Sequence, residues 1–140
     1  EESPFELLEA RKVLEVEVSG LASKKASPED IMNIEISLNQ MRNALGNTSK
    51  MMKIDRNFHI NIARAAHNNF LFSMMLNMNN LLKERLWVNI KEKTWNLPGY
   101  QEKYLKEHSD ILEAIKSKDE KSARKAMYFH LAGVEEDMLK

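Results

Sequence analysis

The sequence predicts an all-α fold, an antiparallel bundle of about six helices. Apolar residues recur at helical spacing along most of the chain, and no segment alternates between polar and apolar residues over the length of a strand. Helix-start signals and one Pro-Gly loop divide the pattern into separate helices. With 140 residues, 43% of them hydrophobic, the chain suits one domain with a real core. We therefore expect residues 1–140 to form a single domain.

The first two helices begin with the same signal. Residues 3–6 place serine at the N-cap, proline at the first helical position and glutamate where it closes a capping box. We expect this helix to run to about Lys25. The Ser-Pro-Glu-Asp sequence at 27–30 repeats the signal, and Gly46 is a fitting C-terminal stop. The two helices should form an antiparallel hairpin.

The other boundaries follow from turn residues. A break at His67–Asn69 ends the third helix, the Leu-Pro-Gly sequence at 97–99 is the clearest loop, and Asp119 is an N-cap candidate. We predict the remaining helices at about 49–66, from the break to about 93, at 101–116, and from Asp119 nearly to the C-terminus.

Four titratable residues fall on apolar helix faces: Asp55, His59, His108 and His130. Asp55 and His59 are four residues apart, so they stand one helical turn from each other on the same side. Burying several imidazoles and a carboxylate without partners would cost several kcal/mol, because each group would lose its water. A divalent cation would satisfy all four together, so the sequence predicts a buried metal site.

A structural alternative stays open for each histidine, because a core histidine usually bonds to a backbone carbonyl. A purely structural cluster would hold no metal. The fourth histidine, His67, is preceded by two alanines and followed by two asparagines, which is typical of a helix end. We interpret His67 as structural.

Two arginines also fall on predicted core faces, Arg11 in the first helix and Arg85 in the fourth. A buried guanidinium needs an anion, from either the protein or a ligand. Glu15, one turn after Arg11, is the candidate protein partner. The functional hypothesis is that Arg11 and Arg85 bind a small carboxylate beside the metal.

Composition excludes several classes of protein. There are 21 basic and 21 acidic residues, so the net charge is zero, and no basic run could follow a phosphate backbone. The chain has no cysteine, which excludes disulfides and thiolate metal ligands. No apolar stretch reaches the roughly 20 residues of a membrane span. We expect a cytoplasmic protein that neither enters a membrane nor binds nucleic acid through this chain.

The order and spacing of these motifs resemble the FCD effector-binding domain of FadR-type regulators in the GntR superfamily, over nearly the whole chain. The family's openings E-x-R-x-x-L-E and D-x-x-F-H-x-x-I-A match residues 9–15 and 55–63, and its H-x-x-I-L-x-A-I segment matches residues 108–115. The closing helix carries the matching terminal histidine, His130. His67 stands where glycine is commoner in the family, and Asn69 where proline is commoner.

The resemblance implies a metal-containing sensor domain with Asp55, His59, His108 and His130 as ligands and a small carboxylate as effector. It also implies a homodimeric transcription regulator that contacts DNA through an N-terminal winged helix-turn-helix, which this sequence does not include. The helical pattern begins almost at once after Glu1 and Glu2, in keeping with a piece of a longer protein.

Two questions stay open at the level of sequence. The rival function is a metal-dependent, hydrolase-like enzyme, since three histidines and an aspartate leave coordination positions for water. A second acid or base is missing from the core faces apart from Glu15, which favours a sensor that is not an enzyme. Nitrogen and oxygen ligands suit zinc, nickel, manganese or iron, and we favour Zn²⁺ for its availability and its preference for imidazole.

Overall fold

The computed structural model describes residues 3–140, which form seven α-helices and contain no strand. The predicted all-α class is therefore confirmed. In chain order the helices are α1 Pro4–Lys25, α2 Pro28–Asn43, α3 Thr48–Ala65, α4 Asn69–Leu82, α5 Arg85–Trp95, α6 Tyr100–Lys116 and α7 Glu120–Met138. None of these helices is both long enough and apolar enough to cross a membrane.

The predicted helix starts are present as capping boxes. Ser3 and Ser27 each accept a hydrogen bond from the backbone N–H three residues on, and the acidic side chain there accepts one from the N-cap backbone. Such a box satisfies N–H groups that have no partner within the helix. Gly46 follows α2 with φ +93°, a left-handed conformation that glycine adopts without steric cost.

The prediction of a single long fourth helix was wrong, because the structure divides it into α4 and α5. The chain leaves helical geometry at Glu84, whose φ of −67° and ψ of 148° are extended, and α5 starts afresh at Arg85. No proline or glycine marks this break in the sequence. The new direction lets α5 bury Trp87 and Trp95. Burial of these two large rings stabilises the tertiary structure, and the local sequence pattern does not indicate it.

The helices pack with α1 against α7 and α3, and with α2 against α3 and α6. Their buried apolar residues form two clusters, one around Phe58 and Ile111 and the other around Met51 and Tyr104. Along α6, Tyr104 belongs to one cluster and Ile111 to the other, and His108 lies between them. The polar site therefore sits where the two halves of the core meet.

Candidate metal and effector site

Three helices bring the four predicted ligand residues together. Asp55 and His59 come from α3, His108 from α6 and His130 from α7, and all four are buried. One potential ligand atom from each residue lies within 4.8 Å of those from the other three. The four-residue spacing on α3 places the carboxylate and the first imidazole on the same side, as expected.

Each imidazole is held from outside the cluster through its Nδ1 atom. Nδ1 of His59 lies 2.5 Å from Glu15 Oε1, Nδ1 of His108 lies 2.6 Å from the carbonyl oxygen of Tyr104, and Nδ1 of His130 lies 2.6 Å from Glu107 Oε1. A carbonyl or carboxylate oxygen accepts from Nδ1–H, which leaves Nε2 as the atom with a free lone pair. This arrangement of outer hydrogen bonds is the one that orients metal-binding histidines.

The inner atoms are acceptors that face one another. Nε2 of His108 lies 2.6 Å from Asp55 Oδ1, and Nε2 of His59 lies 3.3 Å from the same oxygen. His59 Nε2 is buried and has no hydrogen-bond partner among the described residues. A buried polar atom without a partner is costly, and lone pairs that face one another need a proton or a cation between them. The donor set fits a divalent transition metal.

The other oxygen of Asp55 accepts a hydrogen bond from Lys91, whose Nζ is 3.1 Å from Oδ2. Burial alone would raise the pKa of Asp55, but the charges of Lys91 and His59 hold it well below its usual range. Burial also lowers the pKa of Lys91, although Asp55 counteracts this. Asp55 is therefore a carboxylate, the form that binds a metal.

Arg11 and Glu15 form a buried pair beside His59. Arg11 Nε donates to Glu15 Oε2 over 2.5 Å, while the other Glu15 oxygen accepts from His59. Burial would raise the pKa of Glu15, but Arg11 and His59 lower it to about 2. Burial would likewise lower the pKa of His59, yet Glu15 and Asp55 raise it. Glu15, the candidate protein partner of Arg11, is thus its partner in the fold.

Glu107 and Lys91 are the site residues that sequence reasoning missed. Glu107 is buried against His130, and its burial raises its pKa to about 7. It directly precedes His108, so its position on the helical wheel lies to the side of the apolar face. Lys91 became buried only through the new direction of α5. The expectation of no second acid or base near the ligands was wrong with respect to Glu107.

Arg85 and His67 lie away from the cluster. Arg85 is exposed at the first position of α5 and does not line the small pocket next to the ligands, so its expected place on the core face was wrong. His67 follows Ala66, the C-cap of α3, with φ +49°. Its side chain is 52% exposed, and its Nε2 lies 2.6 Å from Asp30 Oδ2. A positive φ is the conformation in which glycine is favoured, which explains the family's commoner residue there.

The small pocket connects the cluster with the surface and holds only about 10 Å³. Arg11, Glu15, Asp55 and His59 form its inner end. Met75, Met78, Asn79 and Leu82 of α4 cover it. That volume is roughly enough for a single water molecule. In this conformation α4 closes the ligand cluster to any organic molecule.

Comparisons with known proteins identify the family of this chain. The FCD domain family matches residues 6–133. The Uxu operon regulator of Haemophilus influenzae is 30% identical over 132 residues, which cover 94% of this chain and 49% of that protein. LutR, an HTH-type transcriptional regulator of Bacillus subtilis, is 30% identical over 131 residues, or 94% of this chain and 60% of that protein. The chain thus spans about half the length of the curated relatives it matches.

Solved structures share the fold. McbR/YncC of E. coli superposes with a TM-score of 0.80 at 17% identity, over 96% of this chain and 66% of that one. The matching helical fold, the family match over most of the chain and the named relatives agree, and they favour a regulator over an enzyme. The chain belongs to the FCD family, the effector-binding domains of GntR-family transcription regulators.

Proposed function

We propose that this domain binds one divalent transition-metal ion through Asp55, His59, His108 and His130 and senses a small carboxylate beside it. The observation that carries the proposal is the set of outer hydrogen bonds to Nδ1, which leave Nε2 of each histidine free in a group whose potential ligand atoms lie within 4.8 Å of one another. When bound, the ion supplies fixed positive charge at this point. Zn²⁺ is our first choice, and Ni²⁺, Mn²⁺ and Fe²⁺ suit the same donors.

The charge balance of the site favours an anionic effector. Arg11 is paired with Glu15, and Lys91 is paired with Asp55, so these four charges cancel. A divalent ion held by neutral imidazoles then leaves an excess of positive charge in a buried place, which an incoming carboxylate relieves.

Arg11 is positioned to take part, because it lines the small pocket. Within residues 3–140 its recorded side-chain hydrogen bond uses only Nε–H. A guanidinium has five N–H donors, so four remain for the effector.

Effector binding and the regulatory signal are linked through α4. A carboxylate does not fit in about 10 Å³, so its binding requires the cover formed by Met75, Met78 and Leu82 to move. An effector that binds only the opened state shifts the population toward that state. We propose that this shift changes the geometry of a DNA-binding domain elsewhere in a longer, cytoplasmic, homodimeric regulator.

Two measurements test the proposal. Elemental analysis of protein purified without added metal should find close to one transition-metal ion per chain. Calorimetric titration of small organic acids should then show binding to metal-loaded protein and much weaker binding to metal-free protein. Equal affinity with and without metal would refute the proposed effector site, and absence of any bound ion after metal supplementation would refute the metal site.

A further inference from the structure

A second, larger cavity lies on the outer side of α3. It is an open cleft of about 960 Å³ between α2, α3 and α4. Five of its lining residues are cationic, and no aspartate or glutamate of the described chain lines it. These cations are Lys50, Lys53, Arg56, Arg64 and Lys83. About a quarter of the 21 basic residues therefore line one concave surface, which is positively charged although the net charge of the chain is zero.

The cations of this basic cleft have no carboxylate partner among the described residues, although the guanidinium of Arg64 also lies over the ring of Phe72. None of the five forms an ion pair with a carboxylate among residues 3–140, whereas Lys12, Lys103, Lys106 and Lys116 elsewhere on the surface do. Like charges that converge without counter-charges repel one another and raise the local potential. A concave surface of this sign attracts anions, and carboxamides such as Asn57 and Asn79 add neutral hydrogen-bond donors.

The basic cleft is continuous with the small pocket at the ligand cluster. Arg56, Ile60 and Asn79 line both cavities. On the helical wheel of α3, Arg56 and Ile60 lie between the inward face with Asp55 and His59 and the outward face of the cleft. A molecule bound in the cleft therefore stands at the opening through which the cluster is reached.

We propose that the basic cleft is the outer compartment of the effector site and binds a second anionic group of the effector. The inference rests on the proposed function, and it names the ligand class: an elongated molecule with a carboxylate at one end and a carboxylate or phosphate-type group at the other. The cleft volume of about 960 Å³ is within the range of small-molecule sites, roughly 300 to 1,000 Å³.

Three acids of matched chain length test the inference on metal-loaded protein: 6-hydroxyhexanoate, adipate and 6-phosphonohexanoate. All three have six carbon atoms and share one carboxylate, and they differ at the sixth carbon, which carries a hydroxyl, is itself a carboxylate or carries a phosphonate. Charge-assisted contacts typically contribute about tenfold or more in affinity. We expect adipate or the phosphonate to bind at least about tenfold more tightly than the hydroxy acid. The tighter-binding of the two shows which anionic group the cleft prefers.

The variant K53Q/K83Q removes two cleft charges, and K24Q/K93Q is its matched control. All four lysines are exposed and form no ion pair within the described residues, so both variants should fold. The affinity ratio of the dianion over 6-hydroxyhexanoate should fall toward one in K53Q/K83Q and stay unchanged in K24Q/K93Q. A salt titration should also reduce the ratio in the parent protein, since exposed charges are screened.

The outcomes separate this inference from the proposed function. A ratio near one in the parent protein, or a ratio that K53Q/K83Q leaves unchanged, would overturn the cleft assignment while the metal site stands. If 6-hydroxyhexanoate bound metal-free and metal-loaded protein with equal affinity, the proposed function would instead be refuted. Binding of duplex DNA at physiological salt that K53Q/K83Q abolishes would assign the cleft to a phosphate backbone and overturn the small-molecule inference.

Discussion

Nε2 of His108 lies 2.6 Å from Oδ1 of Asp55, while Nδ1 of the same ring donates to the carbonyl oxygen of Tyr104. A neutral imidazole has only one N–H, so its remaining lone pair faces a carboxylate oxygen. A shared cation would remove that repulsion and would also bind Nε2 of His59, which is buried and has no hydrogen-bond partner among residues 3–140. The side chains around this point therefore have the chemistry of a cation-binding site.

Alanine substitution of the ligand histidines should remove the metal. We expect His59→Ala, His108→Ala and His130→Ala to lower the metal content of purified protein from close to one ion per chain to a small fraction. His67→Ala is the control, because His67 is half exposed and pairs with Asp30 of α2 and not with the ligand cluster. Elemental analysis of the four variants decides the matter, and equal loss from His67→Ala would exclude the assigned ligand set.

Removing the metal should destabilise the fold. A ligand that binds only the folded state adds RT ln(1 + [L]/Kd), about 4 kcal/mol at a thousandfold excess over Kd. For a domain of this size that corresponds to a fall in Tm of roughly 10 °C or more. Thermal melts followed by circular dichroism, with and without a chelator, measure it. An unchanged Tm in a protein shown to have lost its metal would argue against a site in the core.

Glu15→Gln should weaken metal binding without abolishing it. The substitution keeps an oxygen that can accept from Nδ1–H of His59, but it removes a negative charge from the neighbourhood of the ion. Loss of such an outer partner typically costs about 10- to 100-fold in metal affinity. Glu17→Gln on the exposed side of α1 is the matched control. Competition with a metal-binding dye gives both affinities, and identical values would show that the negative charge of Glu15 does not contribute to metal binding.

Arg11→Met should impair effector binding more than metal binding. The long apolar side chain of methionine fills the space of the arginine stem, while the charge-assisted bonds to a carboxylate are lost. We expect a loss of roughly 10- to 100-fold in affinity, with the metal retained. Arg11→Lys should restore only part of it, because an ammonium lacks the planar fork of a guanidinium.

The readout for these Arg11 variants is calorimetry with the tightest-binding acid of the panel. Unchanged affinity in Arg11→Met would mean that Arg11 serves only to balance the charge of Glu15, its partner at 2.5 Å.

The isolated domain should not bind DNA specifically. Its net charge is zero, and the basic cleft is a concave surface, whereas a recognition helix protrudes into a groove. Weak binding through α3 at low salt should disappear near physiological ionic strength, since electrostatic contacts to phosphates fall steeply with salt. Gel-shift titrations at both salt concentrations provide the measurement, and sequence-specific retention at the higher salt would contradict the expectation.

Periodicity and capping signals in the sequence determined most of the fold. Local backbone chemistry determines the capping boxes at Ser3 and Ser27 and the breaks at Gly46 and His67. These features were therefore predicted from the sequence. The four candidate ligands were also predicted from the sequence, because helical spacing places each of them among the apolar residues of its helix.

Only the tertiary structure decided the rest. The break before Arg85 has no proline or glycine to mark it. After the break, Trp87, Trp95 and Lys91 are buried and Arg85 is exposed. The pairing of Glu107 with His130 joins α6 and α7, and the basic cleft brings Lys83, at the end of α4, to the four cations that lie on α3. Helical periodicity specifies which side of each helix faces inward, whereas contacts between helices depend on how those sides meet in three dimensions.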